Sequence, residues 1–206
     1  EMKKNGAGVL SPEEAMESAE KFCRDKAGLS GWEVYLENED YLSIEVREGE
    51  VESLVSARTN GMSVRVKSGN RIGLAYTNKL YPHSLKEMVE RAAESVEYLP
   101  DDENAGFVSP ASSDWPELDI YDHKLDEVPR EEKIKRARLL EQSALDYDRR
   151  IRRTRGATYD EMKVETRIVN SEGVNARASS TLCSGSLEAV AEEHGEAQAA
   201  DEFETV

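Results

Sequence analysis

His194 is flanked by acids in Glu192-Glu193-His194-Gly195-Glu196, and imidazole beside carboxylate is the donor chemistry of a metal site. On a strand His194 and Glu196 share one face, Gly195 marks a turn, and no second histidine is near in sequence. Zinc needs three convergent protein ligands, so this segment reads as a surface hairpin. The chain has no His-Glu-x-x-His or His-Glu-x-x-x-His, because His83, His123 and His194 are followed by Ser, Lys and Gly. Nucleophile and phosphate motifs are missing as well. There is no Gly-x-Ser-x-Gly, Cys183-Ser184-Gly185-Ser186 has the composition of a turn, and Gly6-Ala7-Gly8 lacks both a further glycine and a preceding strand. Asp101-Asp102-Glu103 and the pair Asp122 and Asp126 could face a hard cation, but neither has a calcium loop's central Gly and terminal Glu. No catalytic, cofactor-binding or metal-binding residue is assigned from the residues alone.

Charge narrows the partners. The formal net charge is -16, so phosphate backbones and anionic lipid repel the chain unless a local basic patch intervenes. Arg149-Arg150-Ile151-Arg152-Arg153-Thr154-Arg155 is the densest such patch. It has no aromatic or glycine-rich companion, and reads as a helix C-terminus running into a strand. Direct nucleic-acid binding is therefore not expected. No apolar run is long enough to span a membrane, and the N-terminal residues lack the signal-peptide pattern. Cys23 and Cys183 are far apart with no CxxC, as expected for free thiols, buried or half-buried, in a reducing, cytoplasmic setting.

The elements that would position any site are legible from period and punctuation. Ser11-Pro12-Glu13-Glu14 is a capping box, and Ala15, Met16, Ala19 and Cys23 follow near helical spacing. Gly28 and Gly31 end that helix. Ser84-Leu85-Lys86-Glu87 reads as a second box, ahead of a stripe of Leu85, Met88, Val89, Ala92, Ala93 and Val96 that Pro100 closes. A third helix is expected from about Arg130 to Asp148, burying Ile134, Ala137, Leu140, Ala144 and Tyr147 behind Pro129. Elsewhere the period is two: Trp32, Val34, Leu36; Leu42, Ile44, Val46; Met62, Val64, Val66; Ile72, Leu74, Tyr76. Asn60-Gly61 and Gly69-Asn70 are read as hairpin turns. The result is an antiparallel meander whose apolar face a helix must cover.

From Leu99 to Pro129 the chain holds Pro100, Pro110, Pro116 and Pro129, and is expected to cross as a linker that docks through Trp115, Leu118 and Ile120. A shift of 124 residues lays Gly49 on Gly173, Gly61 on Gly185 and Val66 on Val190. The expected fold class is α+β: two similar units of a helix on an antiparallel meander, the second after the proline-rich connection. The expected domains are 1–110 and 111–206.

Several segments carry a resemblance. Ser43–Val51, Asn60-Gly61-Met62-Ser63-Val64-Arg65-Val66, Gly73-Leu74-Ala75-Tyr76-Thr77-Asn78, Asp119-Ile120-Tyr121-Asp122 and Asn170-Ser171-Glu172-Gly173 resemble the TldD/PmbA family, also called modulators of DNA gyrase. Pro100–Gly106 and Pro116–Tyr121 are more similar to the PmbA (TldE) branch. The resemblance implies a cytoplasmic protein of about twice this length, with this chain as its N-terminal part and a C-terminal metallopeptidase-like domain lying outside it. Glu1-Met2 and the final Asp201–Val206 are read as the ends of such a fragment. TldD-like members carry His-Glu-x-x-x-His and a later Cys, and are zinc peptidases of unfolded peptides; PmbA-like members are implied to lack those ligands and to enclose the substrate channel as partners. No zinc ligand transfers to this chain, so zinc is expected only in a catalytic relative or partner. The expected role is proteolysis and peptide maturation, contributing substrate channel and subunit contacts, with a TldD-like subunit or a second copy as dimer partner. The chain alone is expected to be inactive. The alternatives are the front of a catalytic TldD-type enzyme, or a free-standing peptide-binding or dimerisation module. Exposed edge strands could take an extended peptide by strand addition, and the acidic surface would favour basic ones.

Overall fold

The computed structural model describes residues 8–110 and 115–206; Glu1-Met2 and Gly6-Ala7 lie outside them. The elements run α1 (Pro12–Asp25), β1 (Gly31–Arg47), β2 (Glu50–Ser68), β3 (Arg71–Thr77), α2 (Pro82–Ser95), α3 (Arg130–Tyr147), β4 (Ile151–Asn170), β5 (Asn175–Glu193) and β6 (Glu196–Thr205). The strands form a six-stranded sheet in the order β3-β2-β1-β4-β5-β6. β2–β3 and β5–β6 are antiparallel, and the short turns between β1 and β2 and between β4 and β5 require the same of those pairs. The fold is α+β. A helix followed by three strands occurs twice, with Gly49 and Gly173 both at positive φ in the first hairpin turn of each set.

Two compact units are interleaved in sequence, because the long strands belong partly to each. Unit 1 comprises residues 1–38, 59–118 and 165–178; unit 2 comprises 39–58, 119–164 and 179–206. Residue 110, the expected boundary, lies inside unit 1.

In unit 1, α1 begins as read: Ser11 Oγ accepts from the Glu14 N–H, and the Glu14 carboxylate accepts from the Ser11 N–H at 2.8 Å. Ala15, Met16, Ala19 and Cys23 are its buried face. They join Trp32, Val34 and Leu36 of β1, Met62, Val64 and Val66 of β2, and Leu85, Met88, Val89 and Ala92 of α2 in one core. Two readings need correction here. α2 starts at Pro82, so Ser84 is a buried residue of its first turn and caps nothing; proline at the first position already has the helical φ. On β3 the parity is reversed: Gly73 and Ala75 face inward, while Leu74 and Tyr76 are exposed. A Cβ on Gly73 would lie 2.1 Å from the Ala92 carbonyl oxygen, so close approach of α2, not hydrophobicity, chose the inward residue.

The expected turn at Asn60-Gly61 is absent, and β2 runs straight through it. Glu48 (φ 52°) and Gly49 (φ 77°) supply the left-handed pair that reverses the chain instead. Gly69 (φ 58°) turns β2 into β3 as read. Cys183–Ser186, read as a turn, lies within β5, where a Cβ on Gly185 would meet Leu140 Cδ1 at 3.1 Å.

Unit 2 packs α3 over Ile44, Val46 and Tyr159, with Ala137 at the centre. The buried stripe of α3 is Lys133, Ala137 and Glu141, whereas Tyr147 is exposed. Two charged residues were thus missed as core, and Tyr147 was wrongly included. The connection touches down through polar contacts and not through its apolar side chains, since Trp115, Leu118 and Ile120 are all exposed: in unit 1 Trp115 Nε1 donates to the Asn175 carbonyl at 3.0 Å. In unit 2 the Ile120 carbonyl accepts from the Thr181 N–H at 2.9 Å.

Candidate functional site

The residues singled out for metal chemistry do not converge. His194 has φ 54° and forms with Gly195 the β5–β6 turn. Its acidic neighbours face arginines: Glu192 pairs with Arg153 and Glu193 with Arg150. His83 is in α2, stacked on Tyr81 at 5.6 Å between ring centroids, and His123 opens the short 3-10 turn His123–Glu127. Asp101 is bonded to Arg71, Asp122 caps its own turn at the Lys124 N–H, and Asp126 pairs with Lys163. Among the described residues no three His, Cys, Asp or Glu side chains could hold a metal ion, so the donor set does not fit zinc. The arginine-rich run leaves α3 and enters β4 as read, and Arg155 pairs with Glu188 of β5.

Among the described residues, each unit carries a cleft of several hundred Å³. The first, about 650 Å³, lies in unit 1. His83, Glu87 and Arg91, spaced by four along α2, form one wall, with Met62 and Met88 as apolar floor. Tyr35 and Glu37 of β1 complete it; the Tyr35 hydroxyl donates to the Glu37 carboxylate at 2.6 Å. Burial, then the hydrogen bond and charge of Glu37, push the Tyr35 phenol up to about 12. It is a hydrogen-bond donor at neutral pH, not a nucleophile.

The second cleft, about 590 Å³, lies in unit 2 and is lined mostly by charge. At its base Lys133 Nζ donates to the Glu161 carboxylate at 2.5 Å and to the Leu125 carbonyl at 3.2 Å. The Tyr159 hydroxyl donates to the other Glu161 oxygen at 2.5 Å, so both carboxylate oxygens have a donor. Burial, then Cys183 and Glu161, raise the Tyr159 phenol and keep it protonated. Around the rim Arg58 makes a two-pronged bond to Asp40, and Lys163 pairs with Asp126. Sequence reading missed Lys133 and Glu161. Periodicity offered their faces but not their pairing: Lys133, Ala137 and Glu141 share a helix stripe, and Tyr159 and Glu161 follow Ala157 at strand parity.

Beside this cleft the sheet has an open rim. β3 pairs with β2 only from Met62 to Ser68, so along Glu50–Arg58 of unit 2 the outer edge of β2 extends beyond its partner. Most of that segment is exposed, including Leu54 and Val55. Its hairpin is pinned from within: the Glu48 and Gly49 N–H groups donate to the Glu141 carboxylate at 2.9 and 2.7 Å, and the Thr154 hydroxyl at 2.6 Å. An edge anchored at one end and flanked by no further strand among the described residues can hydrogen-bond an extended chain.

The model of the PmbA/TldA metallopeptidase central domain matches residues 123–205, and that of its domain 1 matches residues 32–96. Among curated proteins, the metalloprotease PmbA of Escherichia coli O157:H7 is 31% identical over 186 residues, 89% of this chain and 40% of the relative. A crystallised candidate modulator of DNA gyrase from Bacteroides thetaiotaomicron superposes with a TM-score of 0.79 at 25% identity, covering 94% of this chain and 43% of that one. TldE from Thermococcus kodakarensis gives 0.74 at 20% identity, covering 93% and 42%, a likeness of fold. The chain spans less than half the length of these relatives.

Proposed function

Because the chain belongs to the PmbA/TldD metallopeptidase family, matching its first and central domains, we propose that it receives peptide substrate for proteolysis performed elsewhere. In this reading it is a PmbA-like front portion working in the cytoplasm. It lines the channel that admits an unfolded peptide, and it contacts a TldD-like subunit or a second copy of itself. The bond-breaking chemistry, with any zinc, belongs to residues beyond this chain or to the partner, since no donor set among the described residues fits the metal.

The observation that carries the reading is the outer edge of β2 along Glu50–Arg58. Strand addition binds through main-chain N–H and C=O groups, which every peptide offers, so one edge can accept many unfolded sequences. The test is hydrogen–deuterium exchange of the chain with and without an unstructured twelve-residue peptide. Amide protection confined to the β2 edge, with the peptide recovered uncut, is the expected outcome. Binding that protects some other segment would refute strand addition here, and cleavage would refute the non-catalytic role.

A further inference from the structure

The unit 2 cleft shares residues with the β2 edge: Ser56, Ala57 and Arg58 belong to both. A peptide added along that edge therefore passes the mouth of a charged cavity. We infer that this cavity takes a side-chain carboxylate, so that the edge prefers extended peptides carrying Asp or Glu at the position facing it. The inference rests on the strand-addition reading above and deepens it by naming the substrate class.

The charges decide the sign. Four cations line the cleft, Arg58, Arg130, Lys133 and Lys163, against three carboxylates, Asp40, Asp126 and Glu161. Each carboxylate has its cation: Asp40 has Arg58, Asp126 has Lys163 and Glu161 has Lys133. Arg130 is left over and exposed, and its guanidinium makes no hydrogen bond or ion pair among the described residues. A local excess of positive charge is notable on a chain of net charge -16, whose average field would select the opposite ligand. An arriving carboxylate meets a guanidinium fork that suits it and displaces no existing partner. A lysine there would meet uncompensated like charge, and glutamine would offer only a neutral acceptor. The buried Lys133–Glu161 pair cannot serve, because Tyr159 and Lys133 already engage its carboxylate. The volume, about 590 Å³, leaves room for a long side chain and bridging water.

The experiment uses the 206-residue chain and three fluorescent peptides, each a Ser/Thr/Val decamer with Glu, Gln or Lys at its centre. Anisotropy titrations are run on the wild type, on Arg130→Gln, and on Arg91→Gln as a control in the other cleft. The Glu peptide is expected to bind about tenfold tighter than the Gln peptide, the scale of one charge-assisted contact. Arg130→Gln should erase that ratio while leaving the Gln peptide's Kd unchanged, and Arg91→Gln should leave the ratio intact. Equal affinities for Glu and Gln, or a preference that survives in Arg130→Gln, overturn the inference while the strand-addition reading stands. If none of the three peptides binds, strand addition itself falls.

Discussion

Glu141 shows how one buried charge organises its surroundings. Burial opposes its ionisation, yet the Thr154 hydroxyl, the Gly49 and Glu48 N–H groups and the nearby Arg47 charge outweigh that and hold its carboxyl below the usual range. A depressed carboxyl stabilises the fold above the unfolded pKa of about 4.3 and loses that contribution as pH falls through the folded value. Glu141→Gln is therefore expected to cost about 1.5–3 kcal/mol at pH 7 in urea unfolding. The gap to wild type should begin to narrow as pH drops below the unfolded pKa and close only once pH has passed through the lower folded value, where the native carboxyl is itself protonated; a gap that stays constant into acid would mean that shape, not charge, is what matters. Cys23 behaves oppositely. Burial, then the Glu20 charge, push its thiol up to about 12, with Arg24 as a smaller offset. In a Cys183→Ser background the remaining thiol should react with Ellman's reagent at pH 8 only as fast as the chain opens, and at the free-thiol rate in urea. Immediate reaction in the folded state would contradict its burial.

At the scale of elements, Gly73 marks where β3 and α2 nearly touch. Gly73→Ala would place a methyl 2.1 Å from the Ala92 carbonyl oxygen, which belongs to backbone and cannot swing away. The expected loss is about 1–3 kcal/mol or more in thermal or urea unfolding, the range for overpacking; a neutral variant would mean that α2 shifts freely on the sheet. The same position explains why sequence reading misjudged β3. Ile72, Leu74 and Tyr76 are the larger residues, so alternation alone turned them inward, whereas the helix backbone demanded the residue with no side chain. Asn60-Gly61 misled similarly, because a turn-competent pair only permits a turn, and the positive φ angles at Glu48 and Gly49 had already closed the hairpin. The α1 cap and the apolar faces of α1, β1 and the paired part of β2 were legible, since each rests on local spacing and a single buried side. The charged cleft was not. Its members come from strands and a helix far apart in sequence, and Lys133 and Glu161 look like surface residues until their partnership is seen.

For the molecule as a whole, two electrostatic effects of opposite sign act on a peptide, and salt separates them. The net charge of -16 draws basic peptides from a distance, while the unpaired Arg130 favours a carboxylate at contact. The screening length falls from about 10 Å at 0.1 M salt to about 3 Å at 1 M, which suppresses the distant field first. The affinity of the Lys-centred decamer should therefore fall steadily over that range. That of the Glu-centred decamer should hold or rise, because salt removes the repulsion from the acidic surface along with part of the Arg130 attraction. The ordering of the two peptides at high salt then reports the cleft, and the ordering at low salt includes the surface. If both affinities fell in parallel, the local cation excess would have no influence on what this edge selects, and the acidic surface would govern recognition throughout.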